Sequence, residues 1–78
     1  MPLIKTTFHG HEDGAFLLAE MRNPVSGEHM AWLIHNWVDK LSMLENHRSV
    51  VKDLANCLGY HGQLTYEGHG ACYTWVVT

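Results

Sequence analysis

From Glu28 to Leu44 the apolar side chains Met30, Leu33, Ile34, Trp37, Val38, Leu41 and Leu44 recur every three or four residues. That spacing collects them on one face of a helix. Ser26 can cap its start and Glu28 suits the positive end of its dipole. A second helical period runs from Ser49 to Leu58 through Val50, Val51, Leu54, Ala55 and Leu58. Asn46 or Ser49 can cap it, and Gly59 supplies the left-handed residue that commonly ends a helix. Only the four residues "ENHR" separate the two periods, so they predict a packed helix pair.

The flanks read differently. "LIKTTFH", Leu3 to His9, is rich in β-branched and aromatic residues and predicts a strand, with "GHEDG" as the turn after it. "AFLLAEM" suits either a helix or the return strand of a hairpin, and its position directly after a turn favours the strand. Pro24 in "RNPVSG" then breaks the chain. After Gly59, "QLTYEG" and "ACYTWVVT" flank the glycines of "EGHG" and predict a second hairpin. The expected architecture is α+β, in the order β-β-α-α-β-β. Two helices would lie on one face of a three- to four-stranded antiparallel sheet.

Composition sets the scale. A chain of 78 residues is one compact domain, and it buries only about 60% of its unfolded surface. With 46% hydrophobic and 17% charged residues, it belongs with folded rather than disordered chains. No apolar run approaches the ~20 residues of a membrane span, and the first residues lack a signal-peptide pattern, so a cytoplasmic protein is expected. Two cysteines are too few for a disulfide framework. The net charge is −3, and Lys5, Arg22, Lys40, Arg48 and Lys52 are scattered. Phosphate-backbone binding draws on clustered cations, so this pattern argues against nucleic acid as partner.

Candidate chemistry concentrates in "CLGYHGQLTYEGHGAC". Cys57, His61, His69 and Cys72 form a C-x3-H-x7-H-x2-C set with the four nitrogen and sulfur ligands that zinc takes. The spacing departs from familiar knuckles, and Cys57 falls inside the second helical period, where a buried thiol acts as a small hydrophobe. His9, His11, Glu12 and Asp13 make another polar cluster, which a solvated turn explains without a ligand. A helix-turn-helix or winged helix beginning at "LANCLGYHG" would need a recognition helix next. That stretch carries Gly62, Gly68 and Gly70, each costing a helix about 1 kcal/mol relative to alanine. No phosphate loop, nucleophile elbow or H-E-x-x-H motif is present, so no catalytic residue is assigned.

Elimination leaves surface recognition. Three Trp, three Tyr and two Phe are many large rings for so small a core, and such rings are favoured at protein interfaces. On the first helical period Trp32 and Met43 fall opposite the apolar stripe, with His35 and Asp39 nearby. In "YTWVV" an edge strand would present Tyr73 and Trp75 on one side. The expected function is a small, non-enzymatic, protein-binding regulator or inhibitor acting through Trp32, His35, Asp39, Met43, Tyr73 and Trp75. It needs no cofactor, and a second copy of the chain is a further candidate partner. The alternatives are a zinc-stabilised domain and a winged-helix-like DNA-binding regulator.

Overall fold

A computed structural model describes residues 3–10, 12–22, 26 and 29–78. Five antiparallel strands form one sheet: β1 (Leu3–His9), β2 (Phe16–Arg22), β3 (His29–Asn36), β4 (Leu64–His69) and β5 (Cys72–Val77). One helix, α1 (Met43–Cys57), lies between β3 and β4 in the chain. The strand order is β3-β2-β1-β5-β4. The two strands that flank α1 in sequence are therefore the two edges of the sheet, and the connection through α1 carries the chain from one edge to the other.

The expected β-β-α-α-β-β order with two helices is thus corrected to a strand-dominated α+β domain. The stretch read as the first helix divides into β3, a turn at 37–42 and the start of α1. Its spacing misleads because both faces of β3 carry apolar residues, which erases the alternation that marks a half-buried strand. Ala31 and Leu33 pack against the core on the helix side, while Met30, Trp32 and Ile34 point the other way. Ser26 sits in an exposed turn instead of a helix cap, and Pro24 and Glu28 lie outside the described residues.

The remaining strands follow the sequence closely. β1 spans the residues predicted for it, and "AFLLAEM" is β2, paired with β1 from Lys5↔Glu20 to His9↔Phe16. β4 and β5 form the expected hairpin, with Gly70 at φ 69° as the first of its two turn residues. A glycine at that place suits the II′ turn that matches strand twist. Within β4, Gly68 has φ 111°, and a Cβ there would stand 2.5 Å from the Cys72 carbonyl oxygen, so only glycine fits.

The helix starts earlier than its apolar period. Ser42 caps it, Oγ accepting from the Glu45 N–H at 3.1 Å, and Glu45 lies in the first turn. Asn46, 2% exposed, fixes the turn from β3 onto this end. Its Oδ1 accepts from the Val38 N–H at 2.9 Å, and its Nδ2 donates to the carbonyls of Val38, Leu41 and Ser42 at 3.0 to 3.2 Å. Trp37, in that turn, meets Phe8 edge to face with ring centres 5.3 Å apart. Gly59 follows the helix end as its position predicts.

The core lies between α1 and one sheet face. Ile4 and Thr6 of β1, Leu17, Ala19 and Met21 of β2, and Tyr73, Trp75 and Val77 of β5 meet Val50, Val51, Leu54 and Ala55 of α1. Period-two alternation along each strand sends the intervening residues to the opposite face, where no described element covers them. Among the described residues no helix is long and apolar enough to cross a membrane.

Candidate functional site: the open face of the sheet

The strand registers define this open face. Reading outward from the centre, β1 contributes Leu3, Lys5, Thr7 and His9, and β2 contributes Phe16, Leu18, Glu20 and Arg22. β3 contributes Met30, Trp32, Ile34 and Asn36. On the other side stand Cys72, Thr74 and Val76 of β5, then Thr65, Glu67 and His69 of β4.

Its two halves differ in chemistry. The β4–β5 half is largely polar. The β3 half exposes Met30 by 62%, Trp32 by 60% and Ile34 by 46%, with Ile34 opposite half-buried Leu18 and Trp32 opposite Glu20. Between the halves Arg22 pairs with Glu20 at 3.2 Å, and an open depression is lined by Leu3, Lys5, Glu20, Arg22 and Thr74. His9 stacks on Phe16 at 4.9 Å and its Nε2 lies 3.0 Å from Thr7 Oγ1. His11, the other histidine of that polar cluster, lies outside the described residues. A large ring, a thioether and an aliphatic side chain exposed side by side on a sheet face that no described element covers are the composition of a contact surface.

The predicted recognition residues separate into distinct places. Trp32 is on the open face, but on a strand. His35 is on the helix side of β3, where Nε2 meets Asp53 of α1 at 2.8 Å. Asp39 accepts from Trp37 Nε1–H at 2.8 Å, and Met43 is half-buried at the first position of α1. Tyr73 and Trp75 are corrected from an exposed edge to the interior. β5 has β1 on one side and β4 on the other, and the two rings are 7% and 0% exposed. Met30 and Ile34, which the helical spacing places on the apolar stripe, join Trp32 outside. The signal for them is the unbroken "MAWLI" run, too apolar on both sides for a one-sided strand.

The proposed metal ligands are spread similarly. Cys57 ends α1 and His61 follows in the next loop, while His69 and Cys72 face each other across the β4–β5 hairpin. All four are exposed, both cysteines are free thiols, and among the described residues no three His, Cys, Asp or Glu side chains gather as a metal-binding group. The segment after Gly59, where a recognition helix would start, is a loop leading into β4.

On the covered face, a polar chain runs through the core. Trp75 Nε1–H donates to Thr6 Oγ1 at 2.9 Å, and Thr6 Oγ1 lies 2.6 Å from His47 Nδ1. The hydroxyl has a second lone pair beside the one the indole uses, so it can donate to Nδ1 or accept from Nδ1–H, according to the imidazole tautomer. His47 is fully buried under Tyr73, ring centres 4.5 Å apart, and Nε2 makes no hydrogen bond of adequate geometry. Burial pushes the His47 pKa below 6.5, and the neighbouring Gly70 backbone offsets only part of that. The unfolded chain therefore takes up a proton at higher pH than the folded one. Stability is full above about pH 6.5 and falls as pH drops from there through the lower folded value. Urea midpoints measured from pH 7.5 to 5 should decline in the native chain and flatten in His47→Gln. An equal decline in both would remove His47 as the cause.

No protein-family model matches the chain, and comparison with curated proteins and with solved structures finds no match either.

Proposed function

We propose that this chain is a non-enzymatic protein-binding domain that acts as a small regulator or inhibitor, with the open sheet face as its contact surface. The observation that carries the reading is the exposure of Met30, Trp32 and Ile34 together on β3, on the face opposite α1. In a domain whose core has little to spare, three large apolar side chains kept in water are a cost to solubility that a partner removes. Trp32 is the natural anchor, since a Trp buries the most surface and dominates interface energetics. Glu20 beside it and Arg22 beyond give the polar rim that sets orientation.

The cationic side chains support a protein partner over a phosphate backbone. Lys5 and Arg22 lie on the sheet face, while Arg48, paired with Glu45 at 3.2 Å, and Lys52 lie on the helix. No basic stripe forms.

The test is quantitative capture of a binding protein by the immobilised chain, compared with its Trp32→Ala and Thr65→Ala variants. Trp32→Ala is expected to lose about 30-fold in affinity, the ~2 kcal/mol of an interface hot spot. Its thermal unfolding should stay close to that of the native chain, because the ring is more than half exposed. Thr65→Ala, on the polar half, should bind normally. Undiminished capture by a folded Trp32→Ala protein would show that the open face is not the contact surface.

A further inference from the structure

We infer that two copies of this chain associate by antiparallel pairing of their β3 strands, joining two five-stranded sheets into one of ten. β3 is an edge: among the described residues its only strand neighbour is β2. Among the described residues, alternate backbone N–H and C=O groups along its outer side have no ladder partner, the arrangement that natural edges normally blunt with charge, proline, bulges or short length. The opposite edge is blunted in this way. β4 has six residues, carries Glu67, and holds Gly68 at φ 111°. β3 has one irregularity, near Met30, where Arg22 pairs with His29, but residues 31–36 run regularly beyond it, and the strand "HMAWLIHN" has no Lys, Arg, Asp, Glu, Pro or Gly.

The occupant that fits is a second β3. Self-pairing about a twofold axis places no like-charged side chains opposite each other, because the strand carries no lysine, arginine or acid. A twofold centred on any residue keeps facing pairs of equal parity, so the open faces continue across the seam. Centred on Trp32, the axis pairs Trp32 with its copy and Met30 with Ile34. Centred on Leu33, it pairs Trp32 with Ile34. Either way Trp32 and Ile34 of one copy meet apolar side chains of the other, while Met30 faces Ile34 in the first register and Asn36 in the second, and part of the apolar surface leaves water. The regular part of the strand, residues 31–36, spans roughly 20 Å, enough for a short ladder but less area than the ~800 Å² per partner of a standard interface. The association is accordingly weak and reversible.

This inference extends the partner reading without resting on it, because it uses the backbone edge as well as the face. Sedimentation equilibrium of the full chain is expected to show twice 8.9 kDa at about 300 µM, and the monomer on dilution to about 1 µM. Trp32→Lys alone, and Ile34→Glu alone, should each weaken self-association at least 10-fold, while an equimolar mixture of the two recovers a mixed pair. Thr65→Lys on β4 should leave association unchanged. If a β3 variant fails to fold, hydrogen exchange of the native chain reads the seam directly: protection of β3 amides should rise with concentration and that of β4 amides should not. A monomer at about 1 mM, or concentration-dependent protection on β4 in place of β3, overturns the inference. A monomer that still captures a partner through Trp32 would leave the open-face reading standing, whereas a dimer with no Trp32-dependent capture would remove only that reading.

Discussion

Trp75→Ala is expected to lose about 3–5 kcal/mol of folding stability, the range for deleting a buried aromatic side chain. For a small domain whose whole stability is about 5–10 kcal/mol, that leaves much of the chain unfolded at 37 °C. The side chain is fully buried on β5, opposite Ile4 in the register, with the Tyr66 ring 5.1 Å away and Tyr73 6.0 Å away. Its removal leaves a cavity in the middle of the sheet face and also strips Thr6 Oγ1 of the indole donor that orients it toward His47. Trp75→Phe separates the two effects, keeping most of the volume and losing the hydrogen bond, for about 1–2 kcal/mol. Urea unfolding followed by circular dichroism checks both. A Trp75→Ala protein within about 1 kcal/mol of the native chain would mean that the core does not depend on this ring.

Asn46→Leu is expected to lose about 1–3 kcal/mol although the side chains are close in volume, because it strips the part-buried Val38 N–H and Leu41 carbonyl of their side-chain partner, while the Val38 and Ser42 carbonyls keep backbone donors. One amide serves the Val38 N–H and the carbonyls of Val38, Leu41 and Ser42, and leucine replaces none of these bonds. The damage should be local first. Amide exchange in the 37–42 turn and the first turn of α1 should quicken before global unfolding, since both are held through this residue. Asn46→Asp keeps an acceptor for Val38 but loses the donors and buries a charge, so it should do no better than leucine. A loss below about 0.5 kcal/mol for Asn46→Leu would place the turn's stability elsewhere.

Asn46 and His47 also explain why α1 is hard to see in sequence. Two of its buried positions carry polar side chains, so "ENHRS" reads as a linker and the apolar period begins only at Val50. The overlooked cue is Ser42 followed three residues later by Glu45, the S-x-x-E signature of a helix start. β1, β2 and the β4–β5 hairpin are legible because their turn chemistry and β-branched residues act locally. The pairing of β1 with β5 is not, because it joins Leu3 to Val76 and no local pattern encodes it. Without that pairing "YTWVV" looks like an edge, and Tyr73 and Trp75 look available. Trp32 is legible as exposed, since it falls outside the helical stripe and also outside the true covered face. Its neighbours Met30 and Ile34 are not, because a strand apolar on both sides and a helix apolar on one satisfy the same spacing.

The β1–β5 ladder has a further consequence for how the chain is made. During synthesis β1, β2 and β3 emerge as a meander that can pair at once, and α1 can dock on it, but the outer side of β1 waits for the final segment. Until Cys72–Val77 leaves the ribosome, the future centre of the sheet is an exposed edge, and Ile4 lacks the ring that will seal it. Closing the sheet then requires contact between residues about seventy positions apart, an ordering cost that slows folding of non-local topologies. The nascent chain is therefore most exposed to aggregation and to chaperone capture in the interval between the emergence of α1 and the docking of the last hairpin.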